Sequence, residues 1–195
     1  MRIIVVGASS GLGRCIAVDR GRKGDRVALL ARRKDLLDDA AVEAGSDSFA
    51  VRCDVTDEAS CRDAVDEATA TLGGLDAVVY TTAVGLLQRI EDVDAAGWRR
   101  AFDTNVIGAS LVTAAAVSHL EATSGVAAYL STVQGMLTPP WPGLGSYAVR
   151  KAALEKLVEA WRAEHPKVGF TRVSVGECAG GDGPAMTQFA NDWDQ

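Results

Sequence analysis

The sequence predicts an α/β protein: a doubly wound parallel sheet with helices on both faces, forming a three-layer αβα sandwich. Three observations lead there. Six short apolar runs recur along the chain, longer segments with helical spacing lie between them, and the first run feeds a glycine-rich turn that opens a helix. Alternating strand and helix implies right-handed βαβ connections, which lay successive strands parallel in one sheet. The 195 residues contain no internal repeat, low-complexity tract or linker, so residues 1–195 read as a single domain long enough to bury a core.

The apolar runs are "RIIVV" (2–6), "RVALLA" (26–31), "SFAVR" (48–52), "LDAVVY" (75–80), "GVAAYLS" (125–131) and "FTRVSV" (170–175). Most are near-continuously apolar and rich in β-branched residues, as strands covered on both faces are. Between them, 57–73 and 96–120 show helical spacing; in the second, Phe102, Val106, Ala109, Thr113, Ala116 and Leu120 recur at steps of three and four. The stretch "GSYAVRKAALEKLVEAWRAEHP" (145–166) predicts another amphipathic helix. At 100° per residue, Tyr147, Lys151, Leu154, Val158 and Trp161 fall within one narrow arc, with Glu155, Glu159 and Arg162 on its flank. A lysine within an inward-facing stripe needs a reason.

Composition narrows the function classes. Hydrophobic residues make up 48% of the chain and charged residues 24%, which describes an ordinary globular protein. The net charge of −6 argues against nucleic-acid binding, which needs a basic face. No apolar run approaches a membrane span, and the opening "RIIVVGASSGLG" lacks a secretory cleavage pattern, so no membrane partner is expected. Cys15, Cys53, Cys61 and Cys178 are scattered without a CxxC pair, which suits reduced thiols in a cytoplasmic protein. His119 and His165 are far apart, so no metal site is expected.

In a sheet of this kind ligands bind beyond the carboxyl ends of the strands. After Val6 come Gly7, Ala8, Ser9, Ser10, Gly11, Leu12 and Gly13, with a helix beginning near Arg14. A strand, a glycine-rich turn and a helix N-terminus together offer free N–H groups and a positive dipole end to a pyrophosphate. The second strand ends in Arg32 and Arg33, where the adenosine ribose of a dinucleotide would lie. Arginine there suits a 2′-phosphate, whereas a carboxylate would bind a free 2′-hydroxyl. NADP is therefore expected ahead of NAD, with NAD left open.

Together these motifs resemble the short-chain dehydrogenase/reductase family over essentially the whole chain. Gly7 to Gly13 is similar to its GxxxGxG turn, "CDVTD" (53–57) to its D-V segment, "TNVIG" (104–108) to its helix asparagine motif, and Tyr147 to Lys151 to its YxxxK pair. The resemblance implies a Rossmann-type fold and hydride transfer between NADP(H) and a small carbonyl or alcohol substrate. It implies Asp54, with Val55, at the adenine, and Thr82 and Ala83 along the cofactor. Tyr147 would be the proton donor, Lys151 would ease its ionisation and hold the nicotinamide ribose, and Asn105 would hold a relaying water. Free tyrosine titrates near ~10, and a nearby ammonium brings that value down.

Four departures follow. The fourth turn reads "TTAVG", so Thr81 and Thr82 stand for asparagines and Val84 for a glycine, and the turn is expected to lose side-chain amides that brace the site. The family's serine lies three residues before a glycine; that register gives Thr132 before Gly135, with Ser131 as the second choice for the hydroxyl that bonds the substrate oxygen. "SVGECAGGDGPAMT" (174–187) resembles the segment after the sixth strand, with Cys178-Ala179 where Pro-Gly is usual. Beyond it, the resemblance implies that the family's last helix and strand are missing, either by truncation or through a reduced substrate lid. Residues 136–146, with Trp141 and its neighbouring prolines, are expected to form an apolar wall of the substrate pocket. A second apolar stripe, Val149, Ala153, Leu157 and Ala160, suggests a homodimer or homotetramer through the helices containing Asn105 and Tyr147. The alternative function is a catalytically weak NAD(P)-binding regulatory protein of the same fold.

Overall fold

The structure is a computed structural model that describes residues 1–45, 47–85 and 88–176. Six parallel strands form one sheet in the order β3-β2-β1-β4-β5-β6. They are β1 Arg2–Val6, β2 Arg26–Ala31, β3 Ser48–Arg52, β4 Ala77–Tyr80, β5 Val126–Thr132 and β6 Gly169–Val175. Each coincides with one of the apolar runs, to within two residues at either end. The expectations for Cys178-Ala179 and for the chain's final segment fall outside the described residues.

Side-chain alternation explains why both faces are covered. Ile3 and Val5 of β1, with Val27 and Leu29 of β2, pack on Ala17, Leu37 and Ala40, contributed by helices α1 (Gly11–Arg22) and α2 (Lys34–Ala44). Ile4 and Val6, with Ala28 and Leu30, point the other way. They meet Cys61, Val65 and Leu72 of α3 (Glu58–Leu72), Val112 and Leu120 of α5 (Gly108–Thr123), and Leu154 and Val158 of α7 (Gly145–Glu164). A period of two on buried strands thus sorts one apolar run into two cores. Local signals set the helix ends. Asp57 accepts a hydrogen bond from the Ser60 N–H at 3.1 Å, and Gly73 closes α3 in the left-handed conformation.

The segment 96–120 differs from a plain helix. A helix α4 (Ala95–Phe102) runs through a π-turn (Asp103–Ile107) into α5. The wider turn moves the buried side one residue back in its first half. Ala101 and Asn105 are buried there, while Phe102 and Val106, expected on the inward stripe, are half-buried. Ala109, Thr113, Ala116 and Leu120 are buried as their spacing predicts. Joined, Ala95–Thr123 spans 29 residues, and an 18-residue stretch within it reaches a mean hydropathy of 1.3, long and apolar enough to cross a membrane by length and composition only. That corrects the expectation that no run reaches such a length. Here the helix lies against the sheet, with Thr104, Asn105 and Thr113 buried on its inner side.

The chain order reverses between β1 and β4, whose partners Val6 and Tyr80 lie side by side at the carboxyl ends. The crevice above that pair is where such a sheet binds ligands.

Candidate active site

The crevice is a single cleft. Gly7, Ser9, Ser10, Gly11, Leu12 and Gly13 line it from the first turn, Arg32 and Arg33 from the second, Asp54 and Val55 from the third, and Thr82 and Ala83 from the fourth. Every residue of the expected cofactor set is there except Tyr147 and Lys151, which stand on α7. Helix α1 begins at Gly11, three residues earlier than its sequence suggests, capped by Ser10 with no side-chain bond to its N–H groups. Those donors face the cleft free for an anion. Gly7 has φ +91°, and a Cβ there would sit 2.6 Å from Thr81 Oγ1 and 2.8 Å from Thr82 N. A Cβ on Gly13 would collide with the Gly7 carbonyl and Thr81 Oγ1. First and fourth turns are therefore pressed together, and only glycine fits at these two positions. This cradle fits a dinucleotide pyrophosphate.

Arg33 reaches back over the turn and donates from Nη2 to Ser9 Oγ at 2.9 Å and to Ser10 Oγ at 2.8 Å. Asp54 accepts from the Thr56 N–H at 3.0 Å and its hydroxyl at 2.8 Å. Partial burial pushes the Asp54 carboxyl up, but the Thr56 bonds, with Arg32 and Arg52, outweigh it and hold it below the ordinary carboxylate range.

The fourth turn is braced after all. The Thr81 hydroxyl donates to Val6 O at 2.7 Å, tying the turn to the end of β1. Asn105, fully buried, donates from Nδ2 to Ala101 O at 2.7 Å and to Val84 O at 3.2 Å. The π-turn thus brings the Asn105 amide against the fourth turn. Asn105 Oδ1 is buried without a hydrogen-bond partner.

The two hydroxyls at the end of β5 separate by strand alternation. Ser131 Oγ donates to Glu155 Oε1 of α7 at 2.6 Å, in a buried pair. Thr132 caps the short helix α6 (Val133–Met136) and accepts from the Gln134 N–H at 3.4 Å. The Ser131 proton is committed, whereas the Thr132 proton is not.

On α7 the inward stripe holds: Lys151, Leu154 and Val158 are buried, Tyr147 and Trp161 half-buried. Lys151 Nζ donates to Leu130 O at 2.6 Å. Burial pushes its pKa down to about 8; Arg150 adds to the fall and Glu155 opposes it. Two buried charges are not evident from the sequence. Glu155 is only 2% exposed, and Arg150, 0% exposed, sets its guanidinium 4.7 Å from the centroid of the Tyr147 ring. A carboxylate four residues after Lys151 is a signal for the first; none points to the second.

Residues 1–195 match the short chain dehydrogenase family. The chain is 32% identical to 11-beta-hydroxysteroid dehydrogenase A of Sesamum indicum, over 89% of this chain and 51% of that protein. It is 32% identical to 11-beta-hydroxysteroid dehydrogenase-like 4A of Arabidopsis thaliana, over 99% of this chain and 66% of that one. The chain spans about half to two thirds of the length of these curated relatives. Among solved structures it resembles an alcohol dehydrogenase from Thermococcus sibiricus complexed with 5-hydroxy-NADP (TM-score 0.86, 26% identity, 91% of this chain and 77% of that one). It also resembles a short-chain type dehydrogenase/reductase from Mycobacterium marinum (TM-score 0.81, 29% identity, 89% of this chain and 73% of that one). Family match, sheet order and the glycine cradle agree: the chain belongs to the short-chain dehydrogenase/reductase family of oxidoreductases.

Proposed function

We propose that the protein interconverts a small carbonyl compound and its alcohol with NADP(H), Tyr147 being the proton donor and acceptor. The observation behind this reading is the placing of Tyr147 and Lys151 one turn apart on α7, where Lys151 binds the Leu130 carbonyl near the end of β5 and Thr132 ends that strand with an uncommitted hydroxyl proton. Bound NADPH would supply the hydride. The cradle from Gly7 to Gly13 would hold its pyrophosphate against the free N–H groups of α1. Arg33, with Arg32, would turn from the two serines toward a 2′-phosphate, and Asp54 and Val55 would border the adenine. Thr132 would donate to the substrate oxygen, Tyr147 would deliver the proton to it, and Lys151 would favour the tyrosinate left behind. Asn105 would keep the fourth turn and the π-turn in register and hold the water that refills the proton.

The regulator reading draws on a fourth turn without its braces; Thr81 and Asn105 supply them, which favours the enzyme. Exposed Met136, Leu137 and Trp141 suit an apolar rim for the substrate pocket. Ile107 and Val149, both about half exposed on the helices of Asn105 and Tyr147, suit assembly into a homodimer or homotetramer.

The test is NADPH oxidation over a panel of ketones and aldehydes. Tyr147→Phe should lower reduction at least ~10²-fold while NADPH still binds. Thr132→Val should lower turnover far more than cofactor affinity, and Ser131→Ala should be the milder of the two. Near-normal turnover in Tyr147→Phe would mean that the proton comes from elsewhere. Wild-type protein that binds NADPH yet reduces nothing on the panel would return the regulator to first place.

A further inference from the structure

Arg150 lies on α7 between Tyr147 and Lys151, buried to 0% exposure. All three of its guanidinium nitrogens are without a hydrogen-bond partner. The guanidinium carbon stands 4.7 Å from the centre of the Tyr147 ring, and a Cβ at Gly85 would come 3.8 Å from Nη2. The charge is thus enclosed between that ring and the turn after β4. Burying a guanidinium without an anion is costly, and a contact with the face of a neutral ring recovers only part of the cost. Burial pushes the Arg150 pKa down to about 10, with Tyr147 acting in the opposite sense. It therefore keeps its charge at pH values where Lys151, pushed down to about 8, is losing its own.

Two of the charged groups around this pair are bonded elsewhere. Glu155, on the same helix, is bonded to Ser131 and lies 3.7 Å from Arg172 of β6. Lys151 is bonded to the Leu130 carbonyl. The π-turn presents half-buried Asp103, and α4 ends in exposed Arg99 and Arg100. From the strands, the hydroxyl of Tyr129 is bonded to Thr113 and that of Tyr80 to the Thr104 carbonyl. None of these groups bonds to Arg150. The fourth turn (81–85) and α6 contain no ionisable side chain.

We propose that Arg150 is a second cation serving Tyr147, a positioning residue that favours tyrosinate and finds in that phenolate the anion its own buried charge lacks. When Tyr147 gives its proton to the substrate oxygen, the bonding pair stays on the phenol oxygen, and the cation–π contact becomes an ion pair. The effect on turnover rests on the proposed role of Tyr147. The effect on ionisation does not.

The chain has three tyrosines, which makes the test direct. Burial raises the hydroxyls of the other two, Tyr129 to about 12 and Tyr80 well above its ordinary value. The difference in tyrosinate absorbance between the cofactor-free wild type and Tyr147→Phe therefore isolates Tyr147. Tyr147→Phe should remove the step; if the step survives, the proposal fails. Arg150→Met should raise its midpoint by about one pH unit or more, and Arg150→Lys should restore most of the change. A midpoint in Arg150→Met within about 0.3 pH units of wild type, in protein with native circular dichroism, overturns the proposal. Arg150→Gln serves the same purpose should the methionine variant not fold. The titration uses neither substrate nor NADP, so inactivity on the carbonyl panel leaves it readable, and its failure leaves the oxidoreductase reading standing. In the alcohol direction, the pH at which oxidation rises should move up with the same variants.

Discussion

Replacing Lys151 by methionine should stabilise the protein while damaging its site. Lys151 is 4% exposed, and burial takes its pKa from an ordinary 10.5 down to about 8. A tenfold loss of proton affinity corresponds to about 1.4 kcal/mol, so keeping the lysine charged in the fold costs about 3 kcal/mol at pH 7. The bond to the Leu130 carbonyl returns about 1 kcal/mol of that, leaving a net gain of about 2 kcal/mol for the variant. The unfolded lysine holds its proton up to about 10.5, whereas the folded one releases it near 8. Between those values the unfolded chain binds more protons, so rising pH favours the wild-type fold and the variant loses its advantage. Urea unfolding at several pH values reads this directly. The variant should be more stable by a constant amount below about pH 7, and the gap should close from about pH 8 upward. A variant less stable than wild type at neutral pH, or a gap that ignores pH, would refute the reasoning.

Two further outcomes follow from the cleft. Arg33→Ala should weaken NADPH binding by about 10- to 100-fold, the worth of a charge-assisted contact, and leave NADH nearly unaffected in fluorescence titrations. Equal losses for both cofactors would mean that Arg33 supports the turn through Ser9 and Ser10 and does not read the 2′-phosphate. Gly13→Ala should destabilise the fold by about 1–3 kcal/mol and weaken both cofactors, since its Cβ meets the Gly7 carbonyl and Thr81 Oγ1. Unchanged unfolding and binding in that variant would show that the two turns are not pressed together.

The strands are readable because burial on both faces writes itself as apolar runs, and the cleft because glycine, arginine and aspartate stand at fixed offsets after those runs. The inward stripe of α7 is readable from its period. The displacement of Phe102 and Val106 is not, because a 3.6-residue repeat assumes an unbroken ladder, and nothing in "FDTNVIG" announces the π-turn. The braces of the fourth turn escape for a related reason: Thr81 acts through a contact with Val6, 75 residues away in the chain. Ser131 and Thr132 can be told apart only once Glu155 is seen to hold the first. Arg150 is hidden most completely. Its position on α7 says nothing of burial, since arginine is almost never buried without a partner.

An α-helix keeps one face toward one neighbour, yet the segment from Ala95 to Thr123 serves two. Its first part and the π-turn lie against α7, and its last part lies against α3. The wide turn at Asp103–Ile107 acts as a phase correction between them. Removing one residue there would heal the hydrogen-bond ladder and leave a smoother helix. It would also swing Trp98 and Phe102 by about 100° relative to Thr113 and Leu120, and carry the Asn105 amide away from the Val84 carbonyl. Local regularity and a braced cleft are therefore alternatives in this chain. A redesign that scores each helix by its own straightness would select against the residue that joins this one to the cofactor cleft.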